Sequence, residues 1–126
     1  MPVLVRFSCA GTRYAVDVSA SAGVVAWTGA DPLPDPRPDV VGVIRESGAV
    51  LPVLAPFGTA GGHVLVLQPP GGLRFGLLVG EVEGVIRIPD ADVGPAPAGQ
   101  RTDVVRGVVG DVLLLDPARL AGALGA

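Results

Sequence analysis

A single histidine, a single cysteine and a few neighbouring acidic residues are the side chains in this 126-residue sequence that could do chemistry. His63 begins an apolar segment without a serine, cysteine or carboxylate set around it that would complete a catalytic site. Cys9 stands in an apolar segment before a glycine turn, a setting typical of a small buried side chain. Asp90 and Asp92 could hold a cation weakly, but a polar loop explains both. We therefore predict no catalytic residue and no metal site, with an enzyme that uses Cys9 or His63 as the alternative.

Cofactor and nucleic-acid binding are not predicted either. The segment PPGGLRFG has a glycine pair but lacks the glycine spacing of a phosphate-binding loop, so it predicts a hairpin turn. The formal net charge is -3, and the nine basic residues are all arginines scattered along the chain. Phosphate backbones are bound by clustered Lys and Arg, which excludes nucleic acid as the expected partner.

The compartment is predicted to be reducing and aqueous. One cysteine cannot form a disulfide within the chain, and no apolar run reaches the length of a membrane span. The N-terminal sequence MPVLVRFSCAGTRYAVDV lacks a basic region followed by a long apolar core. These features predict a soluble, unexported, cytoplasmic protein without membrane insertion.

Short apolar runs separated by Gly, Pro and Asp are typical of β-strands rather than helices. The runs predict ten strands, at residues 3–9, 12–18, 23–28, 40–46, 49–55, 63–68, 73–80, 81–88, 104–109 and 111–115. Proline-containing segments at 31–39 and 89–103 are predicted to be surface connections. A short helix is expected at 117–125, with Asp116 as its N-cap and Gly125 as its end.

The two halves of the chain resemble each other, which indicates an internal duplication. GTRYAVDV at 11–18 aligns with GLRFGLLV at 72–79 at an offset of 61 residues, which is 72 minus 11. VVGVI before the turn RESG resembles VRGVV before a shorter turn at Gly110, and Val50-Leu51 then aligns with Val112-Leu113. The offset changes there from 65 (107 minus 42) to 62 (112 minus 50), which predicts a second turn shorter by three residues. Chance similarity among valine-rich strands is the alternative.

Two copies of five short strands predict a mainly β fold with two five-stranded, barrel-like subdomains and a short C-terminal helix. We expect a single domain over residues 1–126, with subdomain one at about 1–58 and subdomain two at about 59–126.

Two features could serve recognition instead of catalysis. Trp27 precedes the first proline-rich connection, where it could pack internally or anchor an interface. The sequence RESG, residues 45–48, joins two apolar strands as a charged tip, and loops on a rigid scaffold are common partner contacts.

With these segments in place, the sequence resembles the CheW-like domain family. The resemblance extends over nearly the whole chain, through VRFSCAGTRYAVDV, GLRFGLLVGEVEGVIRI and DVVRGVVGDVLLLDPARL, and is most specific in the central segment. The matching central positions are Gly42, Val43, Ile44, Gly48, Val50, Pro52 and Val53. The resemblance implies two five-stranded subdomains and a non-enzymatic adaptor, without cofactor, that couples a chemoreceptor-like coiled-coil protein to the regulatory domain of a histidine kinase.

The recognition surface departs from the family pattern more than the core does. The tip usually reads NLRG, so Ser47 stands at the family's arginine position while Arg45 lies two residues earlier. Val41 replaces a basic residue, and residues 21–24 and 55–57 also differ. The predicted contact residues are Val24, Trp27, Val41, Arg45, Glu46 and Ser47. The alternative is the same fold serving another signalling partner, or associating with itself as a scaffold.

Overall fold

Apart from two short 3-10 helices at Val18–Ala20 and Asp90–Asp92, ten β-strands and one short α-helix make up the computed structural model, which describes residues 3–33, 39–59, 61–97 and 103–122. In chain order they are β1 (Val3–Cys9), β2 (Thr12–Asp17), β3 (Ser21–Ala26), β4 (Val40–Glu46), β5 (Ala49–Leu54), β6 (His63–Leu67), β7 (Phe75–Val79), β8 (Glu81–Arg87), β9 (Val105–Val109), β10 (Val112–Leu115) and α1 (Pro117–Ala121).

Every predicted strand forms, with ends within two residues of those expected, because the Gly, Pro and Asp residues that separate the apolar runs also end the strands. The helix begins as predicted, since a side-chain oxygen of Asp116 accepts hydrogen bonds from the backbone N–H groups of Ala118 and Arg119 at 2.9 and 3.4 Å. It ends at Ala121, and the predicted stop at Gly125 lies outside the described residues.

The strands form two five-stranded sheets, in the orders β8-β1-β2-β10-β9 and β3-β6-β7-β5-β4. The prediction of a mainly β fold with two five-stranded subdomains is therefore confirmed, although the sheets are not closed barrels. The sheets do not follow the expected boundary at residue 58, since each takes two strands from one half of the chain and three from the other. Local sequence cannot reveal this exchange, because the strands of both halves carry the same pattern of apolar residues.

The pairing supports the internal duplication. If each of β1 to β5 is replaced by the strand five places later in the chain, and each of β6 to β10 by the strand five places earlier, the order of one sheet becomes the order of the other. Both sheets also carry a register shift at the same place, where Glu83 bulges from β8 and Ala22 from β3. The strand register corrects the predicted difference in length between the two hairpins. Val112 opposes Val109 in the β9–β10 hairpin, and Leu51 opposes Ile44 at the equivalent place in the β4–β5 hairpin. The β4–β5 hairpin is thus longer than its counterpart by four residues, two on each strand, instead of three.

The largest hydrophobic core lies between the two sheets and joins them. It contains Phe7 and Tyr14 from the first sheet and Phe75 and Leu77 from the second, with Leu120 of α1. Burying each such side chain stabilises the fold by about 1.5–3 kcal/mol, so neither sheet keeps its stability without the other. Smaller cores lie on the opposite side of each sheet, around Leu114 in the first and around Leu78 in the second.

Candidate partner-binding surface

The tip of the β4–β5 hairpin, residues 45–48, projects beyond the second sheet. Arg45 opposes Val50 and Glu46 opposes Ala49, and these two pairs have no counterpart in the shorter β9–β10 hairpin. Ser47 and Gly48 make the turn with positive φ angles of 52° and 79°, the combination required by the tight type I′ turn of a two-residue hairpin loop. The regular turn presents the tip side chains in a defined orientation.

Glu46 is engaged within the molecule. Its Oε2 accepts a hydrogen bond of 2.8 Å from Nη2 of Arg74, and its Oε1 accepts one of 2.8 Å from the hydroxyl of Ser47. Its side chain is only 17% exposed. Glu46 therefore holds the tip against the strand that follows Arg74, and Ser47 supports it, so neither side chain is fully available to a partner.

The other sheet carries an equivalent ion pair. Arg13 occupies the position in the duplication that corresponds to Arg74, and its Nη1 lies 3.1 Å from Oδ2 of Asp111 in the β9–β10 turn. In each case an arginine from one half of the chain reaches the hairpin turn of the other half. The aligned arginines were visible in the sequence, but their partners depend on the exchange of strands between the sheets.

The Arg74–Glu46 ion pair is expected to contribute a coupling free energy of about 0.5–1 kcal/mol to folding, since the pair is only partly shielded from solvent. A double-mutant cycle with Arg74→Gln and Glu46→Gln, followed by urea unfolding, measures it. Pairing Glu46→Gln with Arg87→Gln serves as the control and should show no coupling. Equal coupling in both cycles would contradict the assignment.

The predicted contact residues do not all lie together. Arg45 is exposed on the tip and has no ion pair within the described part of the chain. Val24 is 45% exposed on β3, at the opposite edge of the same sheet. Trp27 and Val41 are half-buried and pack against the small core formed by Val53, Val64 and Leu78.

A groove of about 510 Å³ runs between the two edge strands of the second sheet. Val25 and Ala26 line one side, Arg45 and Glu46 line the other, and the connection at Thr28–Asp31 lies along it. Asp31 and Val43 exchange backbone hydrogen bonds of 2.8 and 2.9 Å, which fixes this connection against β4. The groove places the exposed Arg45 near β3, although the strands themselves are not paired.

Three surface residues were missed by sequence reasoning. Val50 is 61% exposed and Leu73 is 69% exposed, and both are apolar. Arg74 holds Glu46. Val50 stands in the continuous apolar run AVLPVL, whose composition does not reveal which members face solvent. Arg74 could have been found from the sequence, because it aligns with Arg13 in the duplication.

The residues considered for catalysis are not assembled into a site. Cys9 is buried, with its Sγ 3.7 Å from the carbonyl oxygen of Phe57, and burial raises the pKa of its thiol against a smaller opposing effect of a backbone hydrogen bond with Gly80. His63 is exposed, and its Nδ1 lies 3.0 Å from the carbonyl oxygen of Gly80. Among the described residues, no three His, Cys, Asp or Glu side chains are grouped closely enough to hold a metal ion. No helix in this part of the chain could span a membrane.

Alkaline pH is expected to destabilise the protein through Cys9. The unfolded thiol ionises near its ordinary pKa of 9.0, whereas the folded thiol keeps its proton because burial raises its pKa. Its contribution to stability is therefore complete below pH 9.0 and is lost as the pH rises toward the folded pKa. Urea midpoints measured at about pH 8 and about pH 10 should fall less for Cys9→Ala than for the unaltered chain. An equal fall of the urea midpoint in both proteins would show that the Cys9 thiol does not cause the alkaline destabilisation.

The family model of the CheW-like domain matches residues 3–124 of this chain. The chain belongs to the CheW-like domain family.

Two relatives and one solved structure resemble this CheW-like domain. The "Chemotaxis protein CheW" of Rhizobium meliloti (strain 1021) is 30% identical over 102 residues, and the "Probable chemotaxis protein CheW" of Rhizobium etli is 26% identical over 102 residues. Each match covers 75% of this chain and 66% of the relative, so the chain spans slightly less than two thirds of their length. The crystal structure of the scaffolding protein TtCheW from Thermoanaerobacter tengcongensis superposes with a TM-score of 0.78 at 23% identity, covering 92% of this chain and 90% of that one. This last likeness shows the shared fold.

Proposed function

We propose that this CheW-like domain is a non-enzymatic adaptor that couples a chemoreceptor to a histidine kinase in bacterial signal transduction. The observation that carries the proposal is the β4–β5 tip, where Arg45 is exposed beside a regular turn and has no ion pair among the described residues. The family match and the names of the two chemotaxis relatives support it. An adaptor with these partners works in the cytoplasm and requires neither a cofactor nor a catalytic residue.

The proposed partners are the regulatory domain of a histidine kinase, of the CheA type, and the coiled-coil hairpin of a chemoreceptor-like protein. The proposed contact residues are Val24, Trp27, Val41, Arg45, Glu46 and Ser47. Glu46 contributes mainly by orienting the tip, because its carboxylate is already bonded to Arg74 and Ser47.

Binding measured with purified fragments tests the proposal. The kinase regulatory domain and the receptor hairpin, both from the organism that encodes this chain, are titrated against the folded protein by calorimetry. Binding to both, with the three components sedimenting together, is the expected result. A folded sample that binds neither fragment would contradict the adaptor function.

Self-association is the second candidate function. Val24 on β3 and Val85 on β8 occupy equivalent places in the duplication, and they are 45% and 61% exposed on the outer strands of the two sheets. Outer strands with exposed apolar side chains can pair with another copy of the same protein. Light scattering that rises with concentration in the absence of partners, and falls for Val24→Ser or Val85→Ser, would favour a self-assembling scaffold.

A further inference from the structure

Each half of the chain contains one strand that pairs only with the other half. Among β1 to β5, β1 pairs with β2 and β4 pairs with β5, whereas the outer strand β3 pairs only with β6. Among β6 to β10, the outer strand β8 likewise pairs only with β1. Four of the eight pairings between the described strands, β1–β8, β2–β10, β3–β6 and β5–β7, join the two halves. Neither half therefore completes a sheet alone.

A single connection, residues 55–62, joins the two halves covalently. The other contacts between them are the four strand pairings and the inter-sheet core, to which the first half gives Phe7 and Tyr14 and the second gives Leu65 and Phe75. A second copy of the chain presents the same strands and the same apolar side chains. The second half of one copy can therefore complete the first half of another with the same contacts.

The connection is held near both ends and bends between them. The ring of Phe57 stacks on Tyr14 of the first half, with 4.2 Å between the ring centroids. The backbone N–H of Gly62 donates a hydrogen bond of 3.1 Å to the carbonyl oxygen of Val79 in the second half. Gly58 lies between these attachments, is exposed and has a φ of +114°. A change in its backbone angles can redirect the second half while both attachments persist.

We infer that two copies of this chain form a dimer by exchanging their second halves, with Gly58 as the hinge. Each complete fold in the dimer then holds β1–β5 of one copy and β6–β10 of the other. Glycine adopts bent and extended backbone angles with similar ease, so the hinge accommodates both forms. The inference goes beyond the proposed adaptor function, because an exchanged dimer carries two copies of every surface of the monomer.

Protein concentration decides between the closed monomer and the exchanged dimer. The two forms share their strand pairings and cores, and they differ in the hinge and in the association of two chains. Segments joined by a short flexible connection meet at an effective concentration in the millimolar range, so exchange should become appreciable at about 1 mM. Exchange requires separation of the four pairings and of the inter-sheet core. Dimers therefore form during folding and persist after dilution.

Disulfides between the halves test which copy supplies each strand. Ala26 of β3 and His63 of β6 are paired and exposed, so Ala26→Cys with His63→Cys, in a Cys9→Ala background, places two thiols within reach of each other. Isotope-labelled and unlabelled chains are mixed, refolded together from urea at about 1 mM and oxidised. We expect a dimer fraction in which mass spectrometry finds position 26 of labelled chains joined to position 63 of unlabelled ones.

A pair within one half is the matched control for the disulfide experiment. Arg45 and Val50 are also paired and exposed, but both belong to the β4–β5 hairpin of the first half. Arg45→Cys with Val50→Cys, in the same background, should therefore link positions of the same chain in monomer and dimer alike.

Gly58→Ala tests the hinge. A side chain at this φ strains the closed form of each copy, whereas the exchanged form can relieve the strain. We expect at least about a tenfold rise in the ratio of dimer to monomer after refolding, measured by size-exclusion chromatography with light scattering. Gly29→Ala is the matched control, because Gly29 has a φ of +101°, also has open space at the Cβ position and lies outside the connection. It should leave the ratio unchanged.

The outcomes separate exchange from other association. A sample that stays monomeric after refolding at about 1 mM overturns the inference. Dimers in which positions 26 and 63 are joined only within the same chain also overturn it, and favour association through the outer strands. Equal ratios for Gly58→Ala and Gly29→Ala overturn the assignment of the hinge. None of these measurements uses a kinase or receptor fragment, so failure of the adaptor function would leave the exchange standing, and the reverse.

Discussion

Replacing Gly42 with alanine is expected to lower the free energy of unfolding by about 3 kcal/mol or more. Gly42 has a φ of +148°, which L side chains rarely adopt, and an added Cβ would overlap the backbone oxygen of Asp31. That oxygen accepts the hydrogen bond from Val43 that holds the groove-lining connection to β4. The substitution must therefore strain β4, displace the connection or do both. Urea unfolding followed by circular dichroism measures the loss.

Gly84 provides the matched control for this prediction. It lies on an outer strand with a φ of +120°, but an added Cβ would meet no atom within 4 Å. Gly84→Ala should therefore cost only the backbone strain, about 1–2 kcal/mol. Equal losses at the two positions would show that the close approach of Asp31 is not what requires glycine at position 42.

Truncating Phe75 to alanine is expected to destabilise the protein by about 3–5 kcal/mol. Phe75 is fully buried in the inter-sheet core, and the adjoining strand pairs leave little freedom to refill the space. Because this core joins both sheets, the loss should appear as one cooperative transition at a lower urea concentration. Circular dichroism and tryptophan fluorescence, which reports on Trp27 beside the second sheet, should follow the same transition.

Val85→Ala is the control for Phe75→Ala. Val85 is 61% exposed, so its truncation should change stability by no more than about 0.5 kcal/mol. Separate transitions for the two probes, or a small loss for Phe75→Ala, would contradict a single core shared by the sheets.

These effects matter for the proposed adaptor function because the candidate partner-binding surface depends on the same packing. The connection at Thr28–Asp31 lines the groove beside Arg45. Arg74 holds the tip through Glu46. Substitutions at Gly42 or Phe75 should therefore weaken partner binding through loss of the folded surface.

The sequence alone determined the local elements and the family. Strand positions follow from apolar runs separated by Gly, Pro and Asp, and the helix begins at Pro117 because the side chain of Asp116 caps the backbone there. The repeated glycine, arginine and aromatic positions revealed the duplication, and Gly42, Gly48 and Pro52 carried much of the resemblance to CheW-like domains. Each of these signals depends on neighbouring residues or on a comparison of the chain with itself.

The tertiary structure decided which strands share a sheet and which surface residues act together. Each sheet takes strands from both sides of residue 58, because equivalent strands of the two halves satisfy the same pairing pattern and only packing of the whole chain selects the exchange. The same exchange brings Arg74 to Glu46. Ion pairs and exposed patches of this kind join residues distant in the chain, so their partners are not encoded in local spacing.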